Sequence, residues 1–199
     1  TMCLMNRDAR QYVIKRVLKA IRQDPLANPI EISPSDGWSV SGVCACPQCE
    51  AFNQAHGREP DNKGIEKGET AAYVDFVNEL ADTVKQTFPE RKIYVKMVAY
   101  YHYNLPPKDL RTRENVIVHV SSSAPMQLWV KHTDHAWRWR WAGCMPFFWN
   151  PIGVSDEVAA IRSDKKLGAE GWYTDTITSL GDLYMFKHWF QAQLLWNTS

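Results

Sequence analysis

Residues 69–103 read ETAAYVDFVNELADTVKQTFPERKIYVKMVAYYHY, and this stretch changes its periodicity once, at Pro89. Before the proline, Tyr73, Phe76, Val77, Leu80 and Val84 recur at the three- and four-residue steps of one helical face. After it, residues 93–103 are β-branched and aromatic, as in a strand, and Pro106 and Pro107 end the run. The same alternation repeats on both sides. A helix over 8–23 carries Asp8 near its start and Val13, Val17, Leu18 and Ile21 on one stripe. A short strand, PIEIS, follows it and ends at Pro34, and a short helix closes at Gly57. Downstream come strands at 115–121, 145–150 and 169–175, with helices over 155–168 and 182–196. Five strands, most of them separated by helices, predict a parallel sheet in an α/β fold forming one domain over 1–199.

Two places resist this pattern. Residues 58–68 are polar and glycine-bearing, which suits a surface loop. Residues 125–142 fit two readings, because Trp137 and Trp141 have helical spacing whereas W-R-W-R-W alternates like a strand. The link from the strand at 93–103 to that at 115–121 is too short for a crossover helix. It is expected to be irregular or a single turn.

A chain of 199 residues can bury a substantial core but is short for a complete eight-stranded α/β barrel. Its 23 lysines and arginines nearly balance 22 aspartates and glutamates, so charge gives no reason to expect nucleic acid or an anionic membrane as partner. No apolar run has transmembrane length, and no charged-then-apolar signal peptide opens the chain. Its first residues already lead into a helix, so the chain reads as a piece of a longer one, and the sequence does not give the compartment.

The cysteines narrow the chemistry. Cys44, Cys46 and Cys49 form C-x-C-x-x-C, in which at most one local disulfide has acceptable geometry. A redox pair of Cys46 and Cys49 at a helix start leaves Cys44 unexplained. Zinc uses all three thiolates and needs a fourth. Cys3 is the natural candidate, since the helix over 8–23 brings the chain back past it to the rim of the next strand. A closed four-thiolate site is structural; a disulfide with free thiols is the alternative. Cys144 is expected to be a buried, unpaired thiol.

The segment ISPSDG followed by CACPQC and an alanine–phenylalanine pair resembles family 42 β-galactosidases. There an acid ends a barrel strand and an upstream cysteine joins such a cluster on zinc. The whole chain, through CLMNRDAR, YVDFVNELADTV, MVAYYHYNLPP, NVIVHV and LGAEGWYTD, is similar to an uncharacterised domain family of large secreted bacterial proteins. In those proteins the domain often follows a glucuronidase-like N-terminal domain. The resemblance implies the C-terminal part of a TIM-like (β/α)8 barrel. It also implies a secreted or periplasmic setting within a longer protein. The rest of the barrel would come from a missing N-terminal part or from a second copy of the chain.

In such barrels the reacting groups stand at the C-terminal ends of strands. Asp36 matches the galactosidase-like acid and would protonate a glycosidic oxygen, although Asp36 and Gly37 are also a common turn pair. Asp175 is the best-placed second carboxylate. Glu170 stands at the wrong end of its strand, and Asp156 suits a helix start. No glutamate ends the strand at 145–150, where many retaining glycosidases keep their nucleophile. Nine tryptophans add to eight tyrosines and seven phenylalanines, chiefly for a large core. Trp38, Tyr100, Trp149 and Trp172 are the candidates for sugar platforms, and His102 for a hydroxyl partner. His119 is expected in the core, and His132 and His135 in a solvated loop. Phosphate loops and serine or cysteine nucleophile motifs are missing. The leading expectation is a glycoside hydrolase acting on a plant or algal polysaccharide fragment. Its rivals are a carbohydrate-binding barrel without catalysis and a structural fragment whose active site depends on missing N-terminal strands.

Overall fold

The computed structural model describes residues 2–33, 44–57, 70–121, 124–141 and 154–175, together with 189, 192 and 193. Helix α1 spans Arg7–Gln23 and starts where Asn6 accepts a hydrogen bond from the Ala9 N–H at 2.9 Å. Strand β1 (Ile30–Ile32) follows, then α2 (Pro47–His56) and α3 (Thr70–Thr87). Next come β2 (Val95–Ala99), a single 3-10 turn at Tyr101–Tyr103, and β3 (Val116–Ser121). The chain continues through α4 (Met126–Trp129), β4 (His135–Trp141), α5 (Val154–Lys166) and β5 (Gly171–Asp175).

All five strands are parallel and lie in chain order, β1-β2-β3-β4-β5. That sequential order is the arrangement of a partial (β/α) barrel, in contrast to a doubly wound sheet, whose strand order reverses at a switch point. One face of the sheet is apolar, with Val95, Met97, Ala99, Val116, Val118, Val120 and Ala136 all buried. Against it pack Ile14, Val17 and Ile21 of α1, Tyr73 to Val84 of α3, and Met126 and Trp129 of α4. Helix α5 joins the same side, where its Asp164 takes hydrogen bonds from Arg138 and from the Trp172 indole. The described helices thus cover one face, and side chains of the opposite strand parity line the far face.

The fourth strand differs from expectation. W-R-W-R-W is the strand, at His135–Trp141, while the expected strand at 145–150 lies outside the described residues, as does Cys144. The physical reason is the parity of its charges. Arg138 reaches into the helix layer, 93 % removed from solvent, and pairs there with Asp164 at 2.8 Å. Trp137 and Trp139, of the opposite parity, turn to the far face. The 132–135 stretch is not a solvated loop either. His132 is buried with Nδ1 3.0 Å from the Leu110 carbonyl, and His135 opens β4 beside Glu170 at 2.7 Å.

The β2–β3 link is irregular with one 3-10 turn, as expected, and side chains from neighbouring elements hold it. Buried Asn78 of α3 donates to the Arg111 carbonyl at 2.8 Å and accepts from the Arg113 N–H at 2.9 Å. The Trp129 indole donates to the Asn104 carbonyl at 2.7 Å. Asn78→Ala removes both of the first pair and strands two backbone groups in a poorly hydrated place. It is expected to cost about 2–3 kcal/mol, a fall of roughly 4–10 °C in Tm by thermal unfolding. An unchanged Tm would show that the link does not depend on Asn78.

Candidate functional site

The cysteine cluster assembles from two remote pieces of chain. Cys3 precedes α1, while Cys46 is the N-cap of α2, followed by Pro47 and by Cys49 in the first turn. Proline is at home there, since its missing N–H and fixed φ suit the first helical position. Two contacts seat α2: its Asn53 side chain accepts from the Ala72 N–H of α3 at 2.9 Å, and the Lys108 N–H donates to the His56 carbonyl. The helix ends at Gly57, whose φ of 55° lies in the left-handed region that favours glycine.

Cys3, Cys44, Cys46 and Cys49 are all free thiols, and their four sulfurs lie within 4.8 Å of one another. Cys3 Sγ is 3.6 Å from Cys46 Sγ and 3.6 Å from Cys49 Sγ. Four such donors converging on one point can hold a metal ion, and Cys3 is the fourth member as expected. The Cys49 N–H, 3.4 Å from Cys46 Sγ, favours the thiolate and draws the Cys46 pKa down to about 7. Burial pushes Cys49 up to about 12, so its thiolate needs a cation beside it. The helix N-terminus adds favourable dipoles. Four protein donors leave no open position, so an ion held there ties Cys3 to α2 and performs no chemistry.

The candidate sugar-site residues are more dispersed. Asp36, Trp38 and Trp149 lie outside the described residues. Asp175 is the last residue of β5, in register with Trp141, and so stands at the C-terminal edge of the sheet. Asp156 falls within the first turn of α5. Tyr100 directly follows β2 and meets Trp139 edge-on at 5.5 Å. His102 sits in the 3-10 turn, edge-on to the exposed Tyr101 at 4.8 Å. Trp172 does not join them. It faces the helix layer, where its indole donates to Asp164 at 3.0 Å and Arg140 lies 5.1 Å over its ring.

Register brings other side chains together on the far face. His119 pairs with Trp137, Trp137 with Gly171, and Trp139 with Tyr173, so all share one parity with Lys96 and Glu31. His119 stacks on Trp137 at 5.6 Å and lies 5.2 Å from the Tyr173 ring. Lys96 Nζ bonds Glu31 at 2.5 Å and lies 5.3 Å over the Tyr173 ring. A Cβ on Gly171 would come within 2.8 Å of the Trp137 indole, so only glycine lets that ring lie flat there. Burial would raise the Glu31 pKa, but its bonds to Lys96 and Ser33 outweigh that and hold it below the usual range. His119 is lowered to about 4, first by burial and then by the Lys96 charge. None of Glu31, Lys96, His119, Trp137, Trp139 and Tyr173 stood out as a functional candidate in the sequence. The two-residue step of W-R-W-R-W against G-W-Y was the signal that could have found Trp137, Trp139 and Tyr173.

A family model described as "Domain of unknown function (DUF4838)" matches residues 1–137. The match runs from the first cysteine through β3 and into β4. Comparison with curated proteins and with solved structures gives no match.

His119 gives the site a pH signature. Its folded pKa of about 4 lies below the ordinary 6.5, so between those values the unfolded chain binds more protons. Stability is therefore unaffected above about pH 6.5 and falls as the pH drops towards 4, by at most about 3 kcal/mol. Chemical denaturation at pH 7 and pH 4.5 is expected to show a smaller difference for His119→Gln than for the wild type. Equal differences would remove His119 from the acid response.

Proposed function

The chain belongs to the DUF4838 family, and on that premise we propose that it is a carbohydrate-active domain, a glycoside hydrolase whose reacting groups stand at the C-terminal rim of the sheet. The observation that carries this reading is the meeting of Tyr100 and Trp139 at that rim, on the face turned away from the described helices. Ligands of parallel α/β sheets bind beyond the C-terminal strand ends. Flat rings with polar edges there suit the apolar faces of pyranose rings. The rim position of Asp175 supports its assignment as the second carboxylate. Asp36 is the general acid of this reading: it delivers a proton to the glycosidic oxygen as the bond to the anomeric carbon breaks. Asp175 then activates water or stabilises the developing positive charge.

The ion assigned to the thiolate cluster is zinc. Four sulfurs at a zinc–thiolate distance of about 2.3 Å stand about 3.8 Å apart at the corners of a tetrahedron. The two Cys3 distances of 3.6 Å approach that spacing. Its role is to fix the segment between β1 and α2, which contains Asp36, relative to α1.

Elemental analysis of the purified protein is expected to find about one zinc per chain, with Cys49→Ser losing it and melting at lower temperature. A zinc-free protein of undiminished stability would defeat the assignment. Hydrolysis of a panel of aryl glycosides and oligosaccharides tests the activity. Asp36→Asn is expected to lower turnover by roughly 10²–10⁴-fold while zinc content and sugar binding persist. Wild-type rates in that variant would return Asp36 to the role of turn residue. Binding without hydrolysis would replace the hydrolase by a carbohydrate-binding domain, and neither binding nor hydrolysis would defeat both.

A further inference from the structure

We propose that the far face of the sheet holds a subsite for an uncharged pyranose unit. In it Tyr173 is the stacking platform, and Lys96, Glu31 and His119 Nε2 take the sugar's hydroxyls. The inference rests on the carbohydrate reading above and extends it inward from the rim, from Tyr173 in register with Trp139 to polar groups further from the C-terminal strand ends.

The interior of a packed (β/α) barrel is filled by bulky branched apolar side chains. Here the far face departs from that rule at four neighbouring strands: Glu31 on β1, Lys96 on β2, His119 on β3 and Trp137 on β4, with Tyr173 on β5 completing the row. The platform is reachable, since Tyr173 is 43 % exposed in the middle of a strand and the Glu31 side chain beside it is 49 % exposed. Lys96 is 12 % exposed, and its ammonium carries three donors. Among the described residues its hydrogen-bond partner is Glu31, which leaves donors free for a ligand.

His119 supplies the second observation. It is 3 % exposed, and its Nε2 is buried with no hydrogen-bond partner among the described residues. A buried polar atom without a partner costs stability, so such a group is retained where it has another use. The ring is held by stacking on Trp137 and packing against Tyr173, which fixes where Nε2 points. Gly171 preserves the flat posture of Trp137 that this stack requires.

Charge selects the ligand class. Glu31 and Lys96 neutralise each other at 2.5 Å, and a neutral His119 adds nothing, so the row presents hydrogen-bonding groups with no net charge. A uronate or a sulfated sugar would bring an uncompensated anion beside Glu31. A neutral hexose or pentose unit offers an apolar ring face to Tyr173 and hydroxyls that both donate and accept.

The test is isothermal titration of the full 199-residue chain with neutral oligosaccharides (cello-, manno-, xylo- and galacto-series) and with oligogalacturonate as the acidic comparison. The wild type is expected to bind at least one neutral series in preference to oligogalacturonate. Tyr173→Ala is expected to weaken that binding about tenfold, and Tyr173→Phe to keep it, because the ring face is the contact. His119→Leu is expected to weaken binding while raising Tm by about 2–4 °C, since it removes the orphaned nitrogen. A purely structural His119 would instead lower Tm when replaced and leave affinity alone. Unchanged affinity in Tyr173→Ala would overturn the subsite and leave the rim reading standing. Preference for oligogalacturonate would overturn the neutral-ligand assignment, and binding of no glycan would overturn both.

Discussion

Burial of the α3 stripe against the sheet sets the parity of everything else. Phe76, Val77, Leu80 and Val84 are at most 1 % exposed and pack with Val95, Met97, Val116 and Val118. Because side chains alternate along a strand, committing one parity to α3 leaves the other with no choice of direction. Lys96 and His119 are consequently carried to the far face together, and the register of β4 and β5 adds the aromatic rings. A one-residue slip of β3 would bury a histidine under α3 and expel three valines. The apolar contact of one helix thus sets the polar layout of the opposite surface.

Arg138 enters the helix layer with its partners present. Arg138 gives Nε and Nη2 to one oxygen of Asp164 and Nη1 to the Ser121 carbonyl, while the Trp172 indole takes the other carboxylate oxygen. A buried ion pair on its own is weak evidence for stability. With its hydrogen bonds satisfied from β3, β4, β5 and α5 at once, it acts here as a register pin. Only one spacing of α5 over the two strands lets all these bonds form.

The elements with long, clean patterns were legible in the sequence, and the reason is physical. Helix α3 repeats its large apolar residues at helical steps, while β2 and β3 are buried almost throughout and show as unbroken runs of β-branched and apolar residues. The cysteine cluster was legible as well, because few uses of C-x-C-x-x-C with an upstream cysteine satisfy every thiol. Strand β4 was ambiguous because Arg138 is buried in the helix layer and Trp137 and Trp139 line the far face, which inverts the usual assignment of polar residues to water. Trp172 illustrates the same limit: its position near a strand end gave no parity, and the Asp164 that fixes it is eight residues away on a helix. The row of Glu31, Lys96, His119 and Tyr173 was invisible for a further reason. Each is unremarkable alone, and only inter-strand register brings them side by side.

The thiolate cluster joins Cys3 to residues 43 and 46 positions further along the chain. A metal that cross-links such distant points acts on the unfolded ensemble as much as on the native one. Closing a loop of this length by a permanent link removes roughly 4 kcal/mol of chain entropy from the denatured state in the simple polymer account. An ion held by four thiolates confers that restriction only while it is bound. Helix α1 and strand β1 both lie inside the loop, and β1 is a three-residue strand at the sheet's border. With an ion bound, the shortest strand of the sheet would therefore be the one whose attachment depends on metal supply, and loss of the ion would loosen the molecule at this end first.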